Sequence, residues 1–272
     1  MKERKAGLEG QVALVTGASS GIGAAVAREL AARGAGVGLA ARRADRLEVI
    51  AAEIRAFGGR ALPVTCDVSR DGDPDRAVAA VREAFGPLSI VVANAGFGVS
   101  GRVADLRVQD FQRQYETNLF GVVRTVRATL DDLEATRGVV AILGSVAGYF
   151  GVPGQAPYGS SKAAVRVLAQ ALWGELRPNG VGVVLISPGY VESEVRRHGP
   201  EGQLKDDPVP RWLIMPSAQA ARKIVGAILR RRPELILTAH GHLGAWLARF
   251  TPSLLLRFLS RLASRQASEP GD

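Results

Sequence analysis

Seven short apolar runs, rich in β-branched residues, recur along the chain with amphipathic stretches between them. They are QVALVTG, GVGLAAR, RALPVTCDV, LSIVVANAG, GVVAILGS, VGVVLISPG and, late, ELILTA. Within each run the apolar residues are continuous and do not alternate with polar ones, the pattern expected of strands covered on both faces by helices. The intervening pieces carry the helical period. In SGIGAAVARELAARG, Ile22, Val26 and Leu30 fall on one face and Gly34 ends the pattern, while DRLEVIAAEIRAFGG stops at a glycine pair. Alternating strand and helix predict an α/β fold with a doubly wound parallel sheet. A chain of 272 residues, 47% apolar, is long enough to bury such a core in one domain.

One helical stretch carries a local conflict. QDFQRQYETNLFGVVRTVRATLDDLEA reads as a single helix of roughly seven turns, with Gly121 inside it. A glycine there costs about 1 kcal/mol relative to alanine, so Gly121 is expected to mark close packing or a local distortion.

Composition excludes several classes. MKERKAGLEG has no apolar run, so neither a secretory signal nor an anchoring span is expected at this end, and cytoplasmic residence follows as the expectation. Cys66 is the single cysteine and cannot form an internal disulfide; in ALPVTCDVS it reads as a buried position at a strand end. The histidines are His198, His240 and His242, and the His-Gly-His pair has no cysteine or carboxylate cluster around it, so no metal site is expected. The net charge of +9 is unevenly distributed: from Arg222 to Arg265, nine lysines and arginines face Glu234 alone. A basic tail on a nearly balanced body argues against a general nucleic-acid surface and requires its own explanation.

The first run passes through TGASSGIG, Thr16 to Gly23, directly into a helical pattern. Glycines at 17, 21 and 23 allow a tight turn, the approach of a pyrophosphate to a helix N-terminus, and close packing of helix on strand. The spacing differs from GxGxxG, but its position between first strand and first helix makes a nucleotide site the better reading. The next run ends LAARR, where an NAD site would place an acidic side chain on the ribose. Here Ala41 is neutral and Arg42 and Arg43 follow. Guanidinium groups suit bidentate contact with a phosphate, which favours the 2'-phosphate of NADP(H), although the same arginines would serve as a solvated cap on the next helix. Asp67 in CDV and Asn94 to Gly96 in NAG end two further strands, where ligands of open α/β sheets bind and where turn-forming residues also collect.

YGSSK, Tyr158 to Lys162, spaces a tyrosine and a lysine four residues apart. On a helix they share one face. A phenol with an ordinary pKa near ~10 becomes a useful proton donor or acceptor at neutral pH when a neighbouring cation favours its anion.

Taken in order, TGASSGIG, CDV, NAG, Asn118 in TNLFG, Ser145 in GSVAG, YGSSK and PGYVES resemble the short-chain dehydrogenase/reductase family over roughly residues 10 to 240. The resemblance implies a Rossmann fold, a nicotinamide cofactor, a homodimer or homotetramer, and a catalytic set of Asn118, Ser145, Tyr158 and Lys162. In that set Tyr158 donates the proton, Ser145 holds the substrate oxygen, Lys162 favours the tyrosinate and binds the nicotinamide ribose, and Asn118 holds a water linking the lysine to solvent. It also implies NADP(H) contacts from Gly17, Ser19, Ser20, Gly21, Ile22, Gly23, Arg42, Arg43, Asp67, Val68, Asn94, Ala95 and Gly96. Tyr158, Lys162, Pro188, Gly189, Val191 and Ser193 complete the set, with Asp67 toward the adenine and Asn94 bracing the sheet. Ser193 stands where the family commonly has threonine, Ala93 where it has a second asparagine and Ser89 where it has aspartate. None of these departures touches a catalytic position.

Residues 1–240 therefore read as the catalytic domain and 241–272 as an amphipathic basic extension. In the extension Leu243, Trp246, Leu247 and Phe250 form one stripe; TPS reads as an N-cap and a first-turn proline; Leu254, Leu255, Phe258, Leu259 and Leu262 form a second stripe beside Arg257, Arg261 and Arg265. Such helices either lie on a membrane surface or pack on the domain, the pocket or another subunit. The expected activity is NADP(H)-dependent interconversion of a carbonyl and a secondary alcohol. A lipophilic small-molecule substrate, such as a steroid, retinoid or fatty carbonyl, is suggested by the apolar C-terminal helices of some family members. The competing expectation is a cofactor-binding, membrane-associated or regulatory protein with little turnover.

Overall fold

The structure, a computed structural model, describes residues 7–193 and 209–267. His198 and the rest of residues 194–208 lie outside the described residues.

All seven apolar runs form strands: β1 (Val12–Thr16), β2 (Gly36–Ala41), β3 (Arg60–Thr65), β4 (Ile90–Ala93), β5 (Val139–Leu143), β6 (Gly182–Ser187) and β7 (Glu234–Ile236). They make one parallel sheet in the order β3-β2-β1-β4-β5-β6-β7. Helices α1 (Gly21–Ala32), α2 (Ala44–Ala56) and α7 (Ser217–Leu229) cover one face, with Val26, Leu30, Ile50, Ile224 and Ile228 in its core. On the other face lie α3 (Asp73–Phe85), α4 (Val108–Tyr115), α5 (Gly121–Thr136) and α6 (Ala156–Leu176), with Val78, Val81, Val126 and Val165 packed beneath them. Burial on both faces is the physical reason the five central strands, β2, β1, β4, β5 and β6, read as continuous apolar runs.

The strand order reverses between β1 and β4, so the crevice beyond their carboxyl ends is the switch point where such sheets bind ligands. The segments after β1 and β4 are tied together there. Asn94 Nδ2 donates to the carbonyls of Thr16 at 2.9 Å and Gly17 at 3.2 Å, and Thr16 Oγ1 accepts from the amides of Asn94 and Ala95. At the opposite end of β4 the departure at Ser89 is absorbed locally: its hydroxyl accepts from the Val12 amide at 3.2 Å and donates to the Val12 carbonyl at 3.3 Å.

The expected seven-turn helix is interrupted. Between α4 and α5, Glu116–Phe120 form a π-helical turn that contains Asn118. Gly121 follows it, and a Cβ at that position would lie 2.6 Å from Val68 Cγ2. Close packing and distortion thus occur together, as a π-turn commonly does at a functional position.

The C-terminal extension forms α8 (Ala239–Phe250) and α9 (Pro252–Ala267). Pro252 is the first helical residue as expected, but Thr251 does not cap α9 with its side chain. Its hydroxyl donates to the Leu247 carbonyl at 3.1 Å, finishing α8 instead. α8 packs on β7 and on the turn after Ser145, whereas among the described elements α9 packs substantially on α8 alone. Leu255 is buried and Leu259 half-buried in that contact; Leu254 and Phe258, placed by sequence on the same stripe, are exposed. No helix among the described residues is long and apolar enough to cross a membrane.

Candidate active site

Ser145 follows β5 and caps a 3-10 turn, Val146–Gly148: its Oγ accepts from the Ala147 amide at 3.1 Å. That turn rests on the start of α6, since a Cβ on Gly159 would lie 3.1 Å from the Ala147 carbonyl oxygen. α6 begins just before Tyr158 and carries Tyr158 and Lys162 one turn apart, half-buried and buried respectively. The serine's turn and the tyrosine's helix are therefore packed against each other.

Lys162 is 5% exposed, and its ammonium donates to the Leu143 carbonyl at 2.7 Å. Burial pulls its pKa down from 10.5 to about 8. A buried cation with a single backbone partner is held at the edge of its charged range, so it can give strong electrostatic support to a neighbouring anion near neutral pH.

Asn118 is completely buried, and the π-turn directs its amide across the strand ends. Its Nδ2 donates to the Phe97 carbonyl and to Ser161 Oγ, each at 3.1 Å, while its Oδ1 accepts from the Phe97 amide at 3.0 Å. The ideal Cβ position of Gly96 lies 2.9 Å from Asn118 Oδ1 and 3.6 Å from Lys162 Nζ. Gly96, Asn118 and Lys162 thus meet at one point, where any side chain in place of Gly96 would crowd them.

The residues expected to hold a nucleotide line the same edge. Gly17 has φ +66°, and a Cβ there would lie 2.8 Å from Ala95 Cα; a Cβ on Gly23 would lie 2.4 Å from the Gly17 carbonyl oxygen. Only glycine fits such a cradle, and α1 opens from it with no side-chain cap and no acidic residue in its first turn. Arg43 reaches into this turn: its guanidinium donates to Ser19 Oγ at 2.9 Å and to Ser20 Oγ at 2.9 Å. Exposed Arg42 acts electrostatically on Asp67. Burial works to raise the Asp67 pKa, but bonds from the Ser69 hydroxyl at 2.7 Å and amide at 3.0 Å, with Arg42 and Arg70 nearby, hold it below the ordinary value. Ile22 packs on the core, and Val68 is buried against Gly121. Across the crevice the Pro188 carbonyl accepts from the Val146 amide at 2.9 Å, Val191 bridges to Met215, and Ser193 Cβ lies 3.2 Å from the Cβ position of Gly21. A cradle lacking side chains, an uncapped helix start and a guanidinium beside two hydroxyls fit a dinucleotide.

The family model described as short chain dehydrogenase matches residues 11–203. The chain belongs to the short-chain dehydrogenase family. It is 36% identical over 196 residues to an uncharacterised oxidoreductase of Staphylococcus epidermidis, covering 72% of this chain and 84% of that one. A putative ketoacyl reductase of Streptomyces coelicolor is 38% identical over 197 residues, covering 70% and 76%. Among solved structures, the alcohol dehydrogenase of the archaeon Thermococcus sibiricus, complexed with 5-hydroxy-NADP, superposes with a TM-score of 0.74 at 33% identity, covering 84% of this chain and 96% of that one. A short-chain type dehydrogenase/reductase from Mycobacterium marinum gives 0.75 at 29%, covering 85% and 95%. The protein is an oxidoreductase of this family, and its fold is that of a nicotinamide-cofactor enzyme.

Three residues of this short-chain dehydrogenase that shape the site could not be picked out from the sequence. Gln114 is fully buried; its Oε1 accepts from the Val99 amide at 2.7 Å and its Nε2 donates to the Phe97 carbonyl, fixing the loop after β4. The Tyr149 hydroxyl bonds Glu234 and Ser187, and burial and the Glu234 carboxylate raise its pKa. His240 Nε2 accepts from the Tyr190 amide at 3.3 Å and lies 3.1 Å from Thr238 Oγ1, with its ring 5.2 Å from that of Tyr190. In the sequence these are a glutamine on a polar helix, a tyrosine in a glycine-rich turn and one histidine of the His-Gly-His pair, none of which distinguishes a brace from a solvated side chain.

Proposed function

We propose that the protein is an NADP(H)-dependent oxidoreductase that interconverts a lipophilic carbonyl compound and its secondary alcohol. The observation that carries this reading is the buried Lys162 ammonium, bonded to the Leu143 carbonyl and adjoining Asn118 and Gly96, one helical turn from Tyr158. The nicotinamide, when bound, supplies or accepts the hydride. Reduction leaves negative charge on the substrate oxygen, which requires a proton and a hydrogen bond aimed at it. Tyr158 donates that proton and becomes a phenolate. Lys162 lowers the cost of this anion by its charge, acting from the same helix face. Ser145 already accepts from the Ala147 amide, which leaves its hydroxyl proton to be directed at the substrate oxygen. Asn118 holds the Phe97 backbone and Ser161 in place and keeps the lysine's surroundings polar.

The preference for NADP(H) over NAD(H) rests on Arg43 at Ser19 and Ser20, on Arg42 beside it, and on the absence of a carboxylate between Ala41 and Ala44. Gly17 to Gly23 hold the pyrophosphate end, Asn94 braces the sheet beside the cofactor with Ala95 and Gly96 next to it, Asp67 and Val68 lie at the adenine end, and Pro188, Gly189, Val191 and Ser193 at the nicotinamide end. A catalytic domain over 1–240, an extension over 241–272, cytoplasmic residence, assembly as a homodimer or homotetramer and peripheral membrane contact through residues 243–265 complete the reading.

The test is NADPH oxidation across a panel of aldehydes and ketones of increasing apolar size, by the wild-type chain and by Tyr158→Phe. Turnover that rises with apolar size and is lost in the variant, while NADPH still raises its melting temperature, supports the assignment. Turnover retained in Tyr158→Phe removes the mechanism. No oxidation of any carbonyl, with NADPH still bound, favours a cofactor-binding regulator.

A further inference from the structure

α8 and α9 present the largest exposed apolar side chains of the C-terminal region. Leu243, Trp246, Phe250, Leu254 and Phe258 are each 55–63% exposed. On α8, Leu243, Trp246 and Phe250 follow one another at three and four residues, which places them within an arc of about 60° on one face. The rings of Trp246 and Phe250 are 5.4 Å apart, and Arg249 lies over Phe250 at 5.8 Å. On α9, Leu254 and Phe258 share a face while Leu255 is buried. Isolated exposed leucines are ordinary, but large apolar side chains repeated on one helical face mark an interaction surface.

The charge around this surface has one sign. Arg249, Arg257 and Arg261 are exposed, Arg265 follows in the sequence, and no carboxylate occurs between Glu234 and Glu269. Two copies docked through this face would bring arginines together with no acidic partner on either hairpin, an arrangement that disfavours a symmetric dimer. Neither helix, among the described residues, is long enough and apolar enough to span a bilayer.

From this pattern we infer that the α8–α9 hairpin docks on a lipid bilayer bearing anionic headgroups. Leu243, Trp246, Phe250, Leu254 and Phe258 enter the interfacial region and Arg249, Arg257 and Arg261 meet the headgroups. The hairpin is fixed to the catalytic end. The Cβ position of Gly241 lies 2.7 Å from Val146 Cγ2 and that of Gly244 lies 3.0 Å from Phe150, both in the segment that follows Ser145. Docking therefore holds the serine's turn close to the membrane surface, suited to an apolar substrate that partitions into lipid. This consequence rests on the carbonyl-reductase reading; the docking itself does not.

The experiment is vesicle flotation of the full chain, without substrate, on phosphatidylcholine alone and on phosphatidylcholine with phosphatidylglycerol, at low and high salt. Flotation on the anionic vesicles, weakened by salt, is expected, with little on the neutral ones. Arg249→Gln, Arg257→Gln and Arg261→Gln should each weaken partition about fivefold. Trp246→Ser should weaken it about tenfold or more. An unchanged NADPH-induced melting shift in the variants shows that they remain folded. No flotation, or equal flotation on neutral vesicles, overturns the inference. Wild-type chain that does not float but self-associates through Trp246 assigns the face to a second copy instead. Because carbonyl turnover is not read in this assay, its failure leaves the proposed reaction standing, and the failure of the reaction leaves the docking result standing.

Discussion

The Ser145–Tyr158–Lys162 end of the molecule and the α8–α9 hairpin distribute polar and apolar groups in opposite ways. At the proposed catalytic end the buried polar groups are engaged: Asn118 and Gln114 are both fully inaccessible and both use their amides on the backbone of Phe97 to Val99. The hairpin instead exposes large apolar side chains beside its arginines, and α9 is held mainly by α8. Buried polar groups have to be satisfied, so each member of such a network fixes its neighbours and a single change has a large effect. An exposed apolar side chain loses almost nothing in the isolated protein when it is replaced, and its effect is seen only when a partner is present. Tight coupling at one end and loose coupling at the other give the order of expected effects.

The largest is Tyr158→Phe. It removes the proposed proton donor without changing the packing of α6, and turnover is expected to fall by about a thousandfold, within the range for general acid catalysis. Steady-state kinetics beside a thermal melt test this. A fall in melting temperature comparable to the loss of activity would show that the tyrosine serves the packing.

Lys162 gives a signature in pH that a structural lysine on the surface would not. Its folded pKa of about 8 lies below its ordinary 10.5. Between these values the unfolded chain binds a proton that the folded chain has lost, so stability rises as pH increases through the window. The gain is bounded at about 3 kcal/mol. Lys162→Met should flatten that slope in denaturant titrations from pH 8 to 10.5. Proposed carbonyl reduction should move the other way, declining above about pH 8 as the ammonium is lost.

Gly17→Ala tests the cradle. The added methyl must sit at φ +66° and 2.8 Å from Ala95 Cα, where only backbone can yield. A loss of about 2 kcal/mol of stability is expected, together with a loss of the NADPH-induced melting shift. An unchanged melt in urea would mean that the turn after β1 is looser than its packing indicates.

Smaller again is the effect of the arginines. Arg43→Ala removes bonds to Ser19 and Ser20, and Arg42→Ala removes a neighbour of Asp67. Each should lower NADPH affinity about tenfold relative to NADH, the scale of one charge-assisted contact. Equal losses for both cofactors would show that the arginines order the loop without reading the 2'-phosphate.

The sheet was legible because burial on both faces leaves a mark in the five central strands, and the seven runs appear as β1 to β7. The spacing of Tyr158 and Lys162 was legible because helical geometry is local. What the lysine touches was not: the Leu143 carbonyl lies 19 residues away and carries no side-chain signal. Gly121 flagged a distortion in the long helix, but the form it takes, a π-turn at Glu116–Phe120, was not legible, for a similar reason. Its apolar pattern fits an unbroken helix, and the break is tied to contacts made elsewhere, with Asn118 reaching Phe97 and Gly121 closing on Val68. Gln114 looks like a surface glutamine until the loop after β4 folds over it. In the tail the amphipathic stripes were readable, but periodicity does not specify which apolar residues find a partner. Leu255 does and Leu254 does not.

Trp246→Ser has the smallest expected effect on the isolated protein and gives the clearest contrast with Tyr158. Trp246 is 55% exposed, and its nearest ring partner, Phe250, is itself 61% exposed. Replacing it removes little buried area, so stability should change by no more than about 0.5 kcal/mol. NADPH binding should be unchanged, because α8 meets the site through Gly241 and Gly244, on Val146 and Phe150, and not through the indole. Urea denaturation and an NADPH melting shift measured in buffer test this. A loss of 2 kcal/mol or more would place the indole in the fold's own packing, and the hairpin would then be part of the rigid body that holds Ser145. A neutral result means the chain keeps a large apolar side chain in water at no benefit to its own stability, and a surface maintained on those terms is there for something outside the molecule.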